Sequence, residues 1–241
     1  NPDFVKIASS DFTFNILIEE ILKNFDNVVI SSGMANFDEI NDFFNNFNDQ
    51  IKNLVFCYCV SLYPANIQNL NLNNIVHIRN LLDNLDQRFP DQNLNIKLGY
   101  SDHSDDKNVI ISSFTLGCTF LEKHFTNDKY NKEFRDHNLS STNNELYQLI
   151  KDLKLVYESL GKKDFYRADD EIANIKELRR SAYYYQDKNK GDLLTKEDII
   201  FLRPQDNSQN FSHENYNNSY LNKDVRKLDI AKSEDIVNDK K

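Results

Sequence analysis

Two histidines carry the strongest chemical signal in this chain. His103 closes the run Leu98-Gly99-Tyr100-Ser101-Asp102-His103-Ser104, and His124 stands in Leu121-Glu122-Lys123-His124-Phe125. The stretch between them, residues 105–117, has about the length of one helix plus a turn. That spacing places both histidines at the carboxyl ends of consecutive parallel strands, where their rings reach a common point. Neutral imidazoles are good ligands for a divalent ion, so one shared metal is the chemistry the pair offers. The alternative is that each histidine is a polar residue satisfied at a strand end.

The flanking sequence supplies the elements such a pair requires. Residues 4–9 are a short apolar strand. Phe14, Ile18, Ile21, Leu22 and Phe25 then follow at helical spacing. The β-branched run at 27–32 predicts a buried strand, turned by Gly33-Met34, and Phe37, Ile40, Phe43, Phe44 and Phe47 mark the next helix. Strands are expected at 54–62, 96–101 and 118–124, with helices at 72–82 and from 105 to Gly117 and a polar loop at 83–93. A polar excursion at 126–141 leads into a long helix, opened by the capping box Thr142-x-x-Glu145 and closed by Gly161. Five alternations of strand and helix imply βαβ units and a parallel sheet.

After Gly161 the rhythm changes. Residues 162–180 read as a charged, partly helical linker. Residues 181–241 read as a small β-rich domain, with strands at 182–185 and 199–203, a turn at Asn189-Lys190-Gly191-Asp192 and a local cap at Thr195-x-x-Asp198. The polar tail from Gln205 is expected to be loosely ordered at best. The domains are therefore 1–161, the linker, and 181–241.

With 241 residues and 39% hydrophobic content, the chain can bury a sizeable core despite 28% charged residues. A net charge of −9 argues against nucleic acid or an anionic membrane surface as partner. No apolar run approaches a transmembrane length, and no signal peptide is expected. Cys57, Cys59 and Cys118 make an odd count in apolar surroundings, which reads as buried free thiols and a cytoplasmic protein. The chain opens Asn-Pro-Asp-Phe and its one methionine is Met34, so it is expected to be processed, trimmed or incomplete.

With these residues in hand, the chain resembles the sialic acid synthase family, the N-acetylneuraminate, legionaminate and pseudaminate synthases. The matching stretches, in the family's order, are Lys6-Ile7-Ala8-Ser9-Ser10-Asp11, Ile30-Ser31-Ser32-Gly33-Met34-Ala35, Cys59-Val60-Ser61-Leu62-Tyr63-Pro64, Gly99-Tyr100-Ser101-Asp102-His103 and Glu122-Lys123-His124-Phe125-Thr126. Arg179-Arg180-Ser181 and Asn189-Lys190-Gly191 resemble its small C-terminal antifreeze-like (SAF) domain. The resemblance implies a (β/α)8 TIM barrel, of which this chain carries strands four to eight, followed by the SAF domain. A barrel must close to remove its edges, so the first three strands are expected on another chain or elsewhere in a longer protein.

The family condenses phosphoenolpyruvate with the aldehyde of an N-acylated amino sugar such as N-acetylmannosamine, releasing phosphate. By that resemblance His103 and His124 hold a divalent metal, Mn²⁺ with Mg²⁺ or Co²⁺ as alternatives. Lys6 meets phosphoenolpyruvate, and Ser9, Ser61 and Ser101 donate to its phosphate, Ser61 standing where the family usually has Asn. Tyr63 lines the sugar site, and Asp136 binds substrate hydroxyls from Phe134-Arg135-Asp136-His137 where many members have Gly-Pro-Asp-His. Arg203, in Leu202-Arg203-Pro204, reaches the partner's site in a domain-swapped homodimer. Gln205-Asp206-Asn207 replace the family's loop glycines there. The strands missing from this chain supply a carboxylate and a second lysine in relatives, so the chain alone is expected not to turn over. The other readings are a non-catalytic assembly module and a metal-dependent aldolase of another kind.

Overall fold

A computed structural model describes residues 2–129, 136–203 and 216–238. They divide into two compact units, Asn1–Gly161 and Lys162–Lys241.

The first unit alternates β1 (Val5–Ile7), α1 (Asn15–Asn24), β2 (Asn27–Ser31), α2 (Phe37–Phe47), β3 (Asn53–Cys59), α3 (Asn73–Asp83), α4 (Leu85–Arg88), β4 (Asn95–Asp102), α5 (Lys107–Thr115), β5 (Phe120–Lys123), α6 (Asp136–Leu139) and α7 (Asn143–Leu160). The strands form one parallel sheet in the order β1-β2-β3-β4-β5, a half barrel whose two outer strands do not pair with each other. Because side chains alternate along a strand, one face carries Ile7, Ile30, Phe56, Tyr58, Leu98 and Tyr100. These join Phe43, Phe44 and Phe47 of α2 and Ile75 and Ile78 of α3 in one core. Asn27, Asn53 and Asn95 sit opposite one another where β2, β3 and β4 begin, and their side-chain amides form a hydrogen-bonded ladder of 3.0 and 2.7 Å.

Several sequence expectations shift. The loop at 83–93 contains α4, formed because Leu85 is buried in the core. Strand β3 stops at Cys59 rather than Leu62, which leaves Ser61 and Tyr63 on the loop after it. Strand β5 begins at Phe120, since Gly117 takes a left-handed φ of 113° and Cys118 completes the turn from α5. The Thr142–Glu145 capping box forms as expected, and the Glu145 carboxyl is lowered to about 2 by hydrogen bonds from the Thr142 backbone and Lys129. Among the described residues, no helix is long and apolar enough to cross a membrane.

The second unit holds α8 (Asp169–Ala173), α9 (Ile175–Leu178), β6 (Ser181–Tyr184), β7 (Leu193–Leu194), β8 (Ile199–Leu202), β9 (Ser219–Leu221) and β10 (Ile236–Val237). β6 pairs with β8, and β9 lies between β7 and β10, all antiparallel. The expectation of a loosely ordered tail is corrected here: Tyr216, Leu221, Val225 and Ala231 are buried in this unit's core with Ala182, Tyr184 and Leu194. The tail orders because it repeats the preceding segment, residues 224–237 following the pattern of 187–200. Asp192 and Asp198 accept the backbone N–H of Asn189 and Thr195, and Asp229 and Asp235 accept those of Arg226 and Lys232. The two copies also exchange bonds: Lys190 N–H donates to Asp224 and Lys227 N–H to Asp187, while Gly191 N–H donates to the Leu221 carbonyl and Leu228 N–H to that of Tyr184. Residues 205–207, where the family's glycines are replaced, lie outside the described residues, as do Phe134 and Arg135.

The copies differ at one strained position. Gly191 has φ 88° and its counterpart Leu228 has φ 69°. A left-handed L-residue costs about 1–2 kcal/mol, partly offset by the greater entropy glycine loses on folding. Leu228→Gly should therefore leave the second unit unchanged or stabilise it by up to about 1 kcal/mol, read from its urea unfolding midpoint. A clear loss of stability would show that the half-exposed Leu228 side chain contributes more by packing than its backbone costs.

Candidate functional site

The polar residues singled out in the sequence gather on the face of the sheet opposite the helices, at its carboxyl end. Lys6, Ser31, Cys57, Cys59, Gly99, Ser101 and Glu122 share that face by strand alternation. Register puts Cys59, Ser101 and Glu122 in one row across β3, β4 and β5. Gly99 leaves room for this row's neighbour, since a Cβ there would fall 2.5 Å from Cys57 Sγ. Small side chains thus floor a polar surface, and longer ones rise from its rim.

The charged rim centres on Glu122. Its Oε1 accepts the Ser101 hydroxyl at 2.6 Å and lies 3.5 Å from Lys6 Nζ. Glu122 stands in the matching stretch Glu122-Lys123-His124-Phe125-Thr126 and is not among the site residues expected above. The available signal was an acid placed between Leu121 and His124 at the end of a buried parallel strand. Cys59 was likewise read only as a structural thiol. Burial raises its pKa, opposed by hydrogen bonds with the Ser9 and Ser101 hydroxyls, so it stands as a neutral thiol between two expected phosphate donors.

Ser9, Gly33 and Ser61 form a second corner. Ser9 Oγ accepts the Gly33 N–H at 3.1 Å. A Cβ on Gly33 would meet Ser61 Oγ at 2.2 Å and Ser9 Oγ at 2.6 Å, so glycine is needed here for space. The left-handed conformation falls instead on the next residue, Met34, at φ 71°. Ser61 Oγ is buried and has no hydrogen-bond partner among the described residues. An orphaned buried hydroxyl costs about 1–3 kcal/mol, and a ligand atom placed there would relieve it.

The two histidines meet as expected. Their ring centroids are 5.2 Å apart, and the Tyr63 ring lies 4.0 Å from His103 and 5.9 Å from His124. His103 Nδ1 lies 2.8 Å from the Val60 carbonyl. A carbonyl can only accept, so Nδ1 carries the proton and Nε2 keeps a lone pair for a ligand. Burial lowers the His103 pKa against the opposing pull of Val60, which holds the ring neutral. Among the described residues no group of three or more His, Cys, Asp or Glu side chains is gathered as a metal-binding cluster.

Asp136 opens α6, and its charge is felt at Tyr63, whose hydroxyl pKa is raised chiefly by burial. Arg203 is exposed at the end of β8 in the second unit.

The NeuB family model matches residues 1–165, the whole first unit. The chain belongs to the NeuB family. It is 33% identical over 205 residues to an uncharacterised protein of Methanocaldococcus jannaschii, covering 85% of this chain and 57% of that protein. It is 30% identical over 195 residues to the human N-acetylneuraminate-9-phosphate synthase, covering 81% and 51%. Other relatives are a pseudaminic acid synthase and an N,N'-diacetyllegionaminic acid synthase of Campylobacter jejuni. A Chromobacterium violaceum structure, titled as a spore coat polysaccharide biosynthesis protein E, shares the fold at 23% identity. Its TM-score is 0.69, covering 97% of this chain and 67% of that one. The chain spans little more than half the length of the first two relatives, 57% and 51%.

The neutral His103 makes stability pH-dependent in a definite sense. Its folded pKa lies below the unfolded value of about 6.5, so the unfolded state binds more protons as pH falls through that range. Stability is complete above about pH 6.5 and declines on acidification toward the folded pKa. His103→Gln should show a smaller loss of urea midpoint between pH 7.5 and 5 than the unmodified protein. Equal losses would rule out this assignment.

Proposed function

We propose that this chain is the metal-bearing part of a sialic-acid-type synthase in sugar-acid biosynthesis. The reaction is condensation of phosphoenolpyruvate with the aldehyde of an N-acylated amino sugar, N-acetylmannosamine or a relative. The observation that carries the reading is the convergence of Lys6, Ser9, Ser61 and Ser101 with the His103–His124 pair at one end of a parallel sheet, where such folds place their chemistry.

The roles come from the family resemblance, and the geometry supports them. Lys6 supplies positive charge for the phosphoenolpyruvate carboxylate or phosphate, and its link to Glu122 keeps the ammonium at the strand end. Ser9, Ser61 and Ser101 line the same corner, and the orphaned Ser61 hydroxyl is the donor most in need of a phosphate oxygen. His103 and His124 suit a divalent ion, Mn²⁺ first with Mg²⁺ or Co²⁺ as alternatives. With their ring centroids 5.2 Å apart, the two imidazoles would hold such an ion between them. When bound, that ion would polarise the sugar aldehyde, with its remaining positions open to substrate oxygens and water. Tyr63 walls the sugar pocket beside both rings, and Asp136 accepts sugar hydroxyls. The methylene carbon of phosphoenolpyruvate would add to the aldehyde carbon, whose oxygen takes up a proton, while water adds to the phosphate-bearing carbon, which then expels inorganic phosphate as its keto group forms.

The half-barrel needs a complement, which the proposal assigns to the first three strands of a complete (β/α)8 barrel. Those strands come from elsewhere in a longer protein or from a separate chain. The second unit is proposed as an SAF domain, with Arg203 serving a partner's site in a domain-swapped homodimer. The three buried free thiols support a reducing, cytoplasmic setting. A second reading, a non-catalytic assembly module, draws on the two unpaired sheet edges.

The test is phosphate release from phosphoenolpyruvate and N-acetylmannosamine with Mn²⁺, with the sugar acid identified by mass spectrometry. Chain 1–241 alone should release none. Complementation by a polypeptide carrying a relative's first three β/α units should restore turnover. His103→Ala should then lower it by about a hundredfold or more, the loss of several kcal/mol of Lewis-acid stabilisation. A complemented, folded barrel without turnover on any N-acyl amino sugar would favour the assembly module.

A further inference from the structure

We infer that Asp102 and Lys123 form a positioning clamp that sets the separation of His103 and His124. The inference rests on the metal reading of that pair. Asp102 and Lys123 are the last residues paired in the β4–β5 register, and each immediately precedes one of the histidines. Beyond them the backbones part. The His103 carbonyl accepts the N–H of Ala65, whereas that of His124 accepts the N–H of Ser141, so each histidine is tied to a different loop. The side chains of Asp102 and Lys123 are what bind the two strand ends together at this level.

The clamp is built like a fixed part. Lys123 Nζ lies 2.7 Å from Asp102 Oδ2 and also donates to the Ser104 carbonyl, so one ammonium grips the residues on both sides of His103. Asp102 Oδ1 in turn accepts the Ser104 N–H at 3.0 Å and faces the Tyr100 hydroxyl at 3.4 Å. The Asp102 side chain is fully buried and that of Lys123 is 10% exposed. By strand alternation both project away from the face that carries Ser101 and Glu122. They act on the site through the histidines alone. A buried pair of this kind contributes little net stability over an apolar replacement but fixes geometry, because each partner confines the other to one arrangement.

The experiment uses the full chain complemented by a relative's first three β/α units, with Mn²⁺ as the only ligand and free Mn²⁺ followed by electron paramagnetic resonance. Lys123→Met leaves a buried unpaired carboxylate and is expected to unfold readily. The informative variant is therefore the neutral pair Asp102→Asn with Lys123→Met, which removes both charges together. That variant should fold yet bind Mn²⁺ about 10- to 100-fold more weakly, the usual effect of removing a group that orients metal ligands. Lys123→Arg, which keeps the charge, should bind close to the unmodified protein. A metal-free readout separates this inference from the metal reading. Long-range ¹H–¹⁵N spectra should show the His103 and His124 ring signals shifted and broadened in the neutral pair, with that of His77, on α3, unchanged. A folded neutral pair with undisturbed Mn²⁺ affinity and histidine spectra would overturn the clamp. Absence of Mn²⁺ binding by the unmodified protein would overturn the metal reading and leave the clamp to be decided by the spectra.

Discussion

The hydrogen-bond register of three parallel strands is the constraint on which the rest of the site depends. Pairing Cys59 with Ser101 and Ser101 with Glu122 fixes which side chains stand in one row. Because side chains alternate, a slip of one residue on β4 would turn Ser101 into the helix layer and bring Tyr100 to the polar face. The aromatic packing behind the sheet, Phe43, Phe44 and Phe56 within 6 Å of one another, opposes such a slip. The core therefore specifies the site indirectly, by making every other register expensive.

On that frame, polarity is arranged so that few groups are left free. Glu122 restrains Lys6 and takes the Ser101 proton, Val60 fixes the His103 tautomer, and Ser9 is committed to Gly33. Among the described residues, the buried hydroxyls of Ser61 and, on the same face, Ser31 have no partner. Restraint of this kind lowers the ordering cost of binding, since side chains already confined lose little further entropy when a ligand arrives. The unsatisfied hydroxyls mark where a ligand atom would be most welcome.

The second unit follows a different logic, two copies of one turn-and-cap pattern that satisfy each other's backbone. Its carboxylates show how such a repeat tolerates divergence. Asp198 is paired with Lys188 at 2.6 Å, but the matching position in the other copy is Val225, and there Lys223 lies 2.5 Å from Asp235 instead. The cap requires a cation near each buried aspartate, and any residue within reach can provide it.

Much of the first unit was legible in the sequence, because strand and helix periodicities are local and the polar residues cluster where strands end. His103 and His124 could be singled out for that reason, whereas Lys6, Ser9, Ser61, Tyr63 and Ser101 came from the family resemblance. The ordering of residues 216–238 was obscured by polar composition, although the repeat was written in the chain: its stability comes from pairing between copies, which hydropathy does not register. Glu122 as the partner of Lys6, Gly33 as the space for two hydroxyls, and Asp102–Lys123 as the bond between histidine-bearing strands all join residues from different strands or loops. Local composition and periodicity set which groups are present and that strand ends carry them. Only the tertiary structure decided which of them touch, because register and the curvature of the sheet are set by packing across the whole unit.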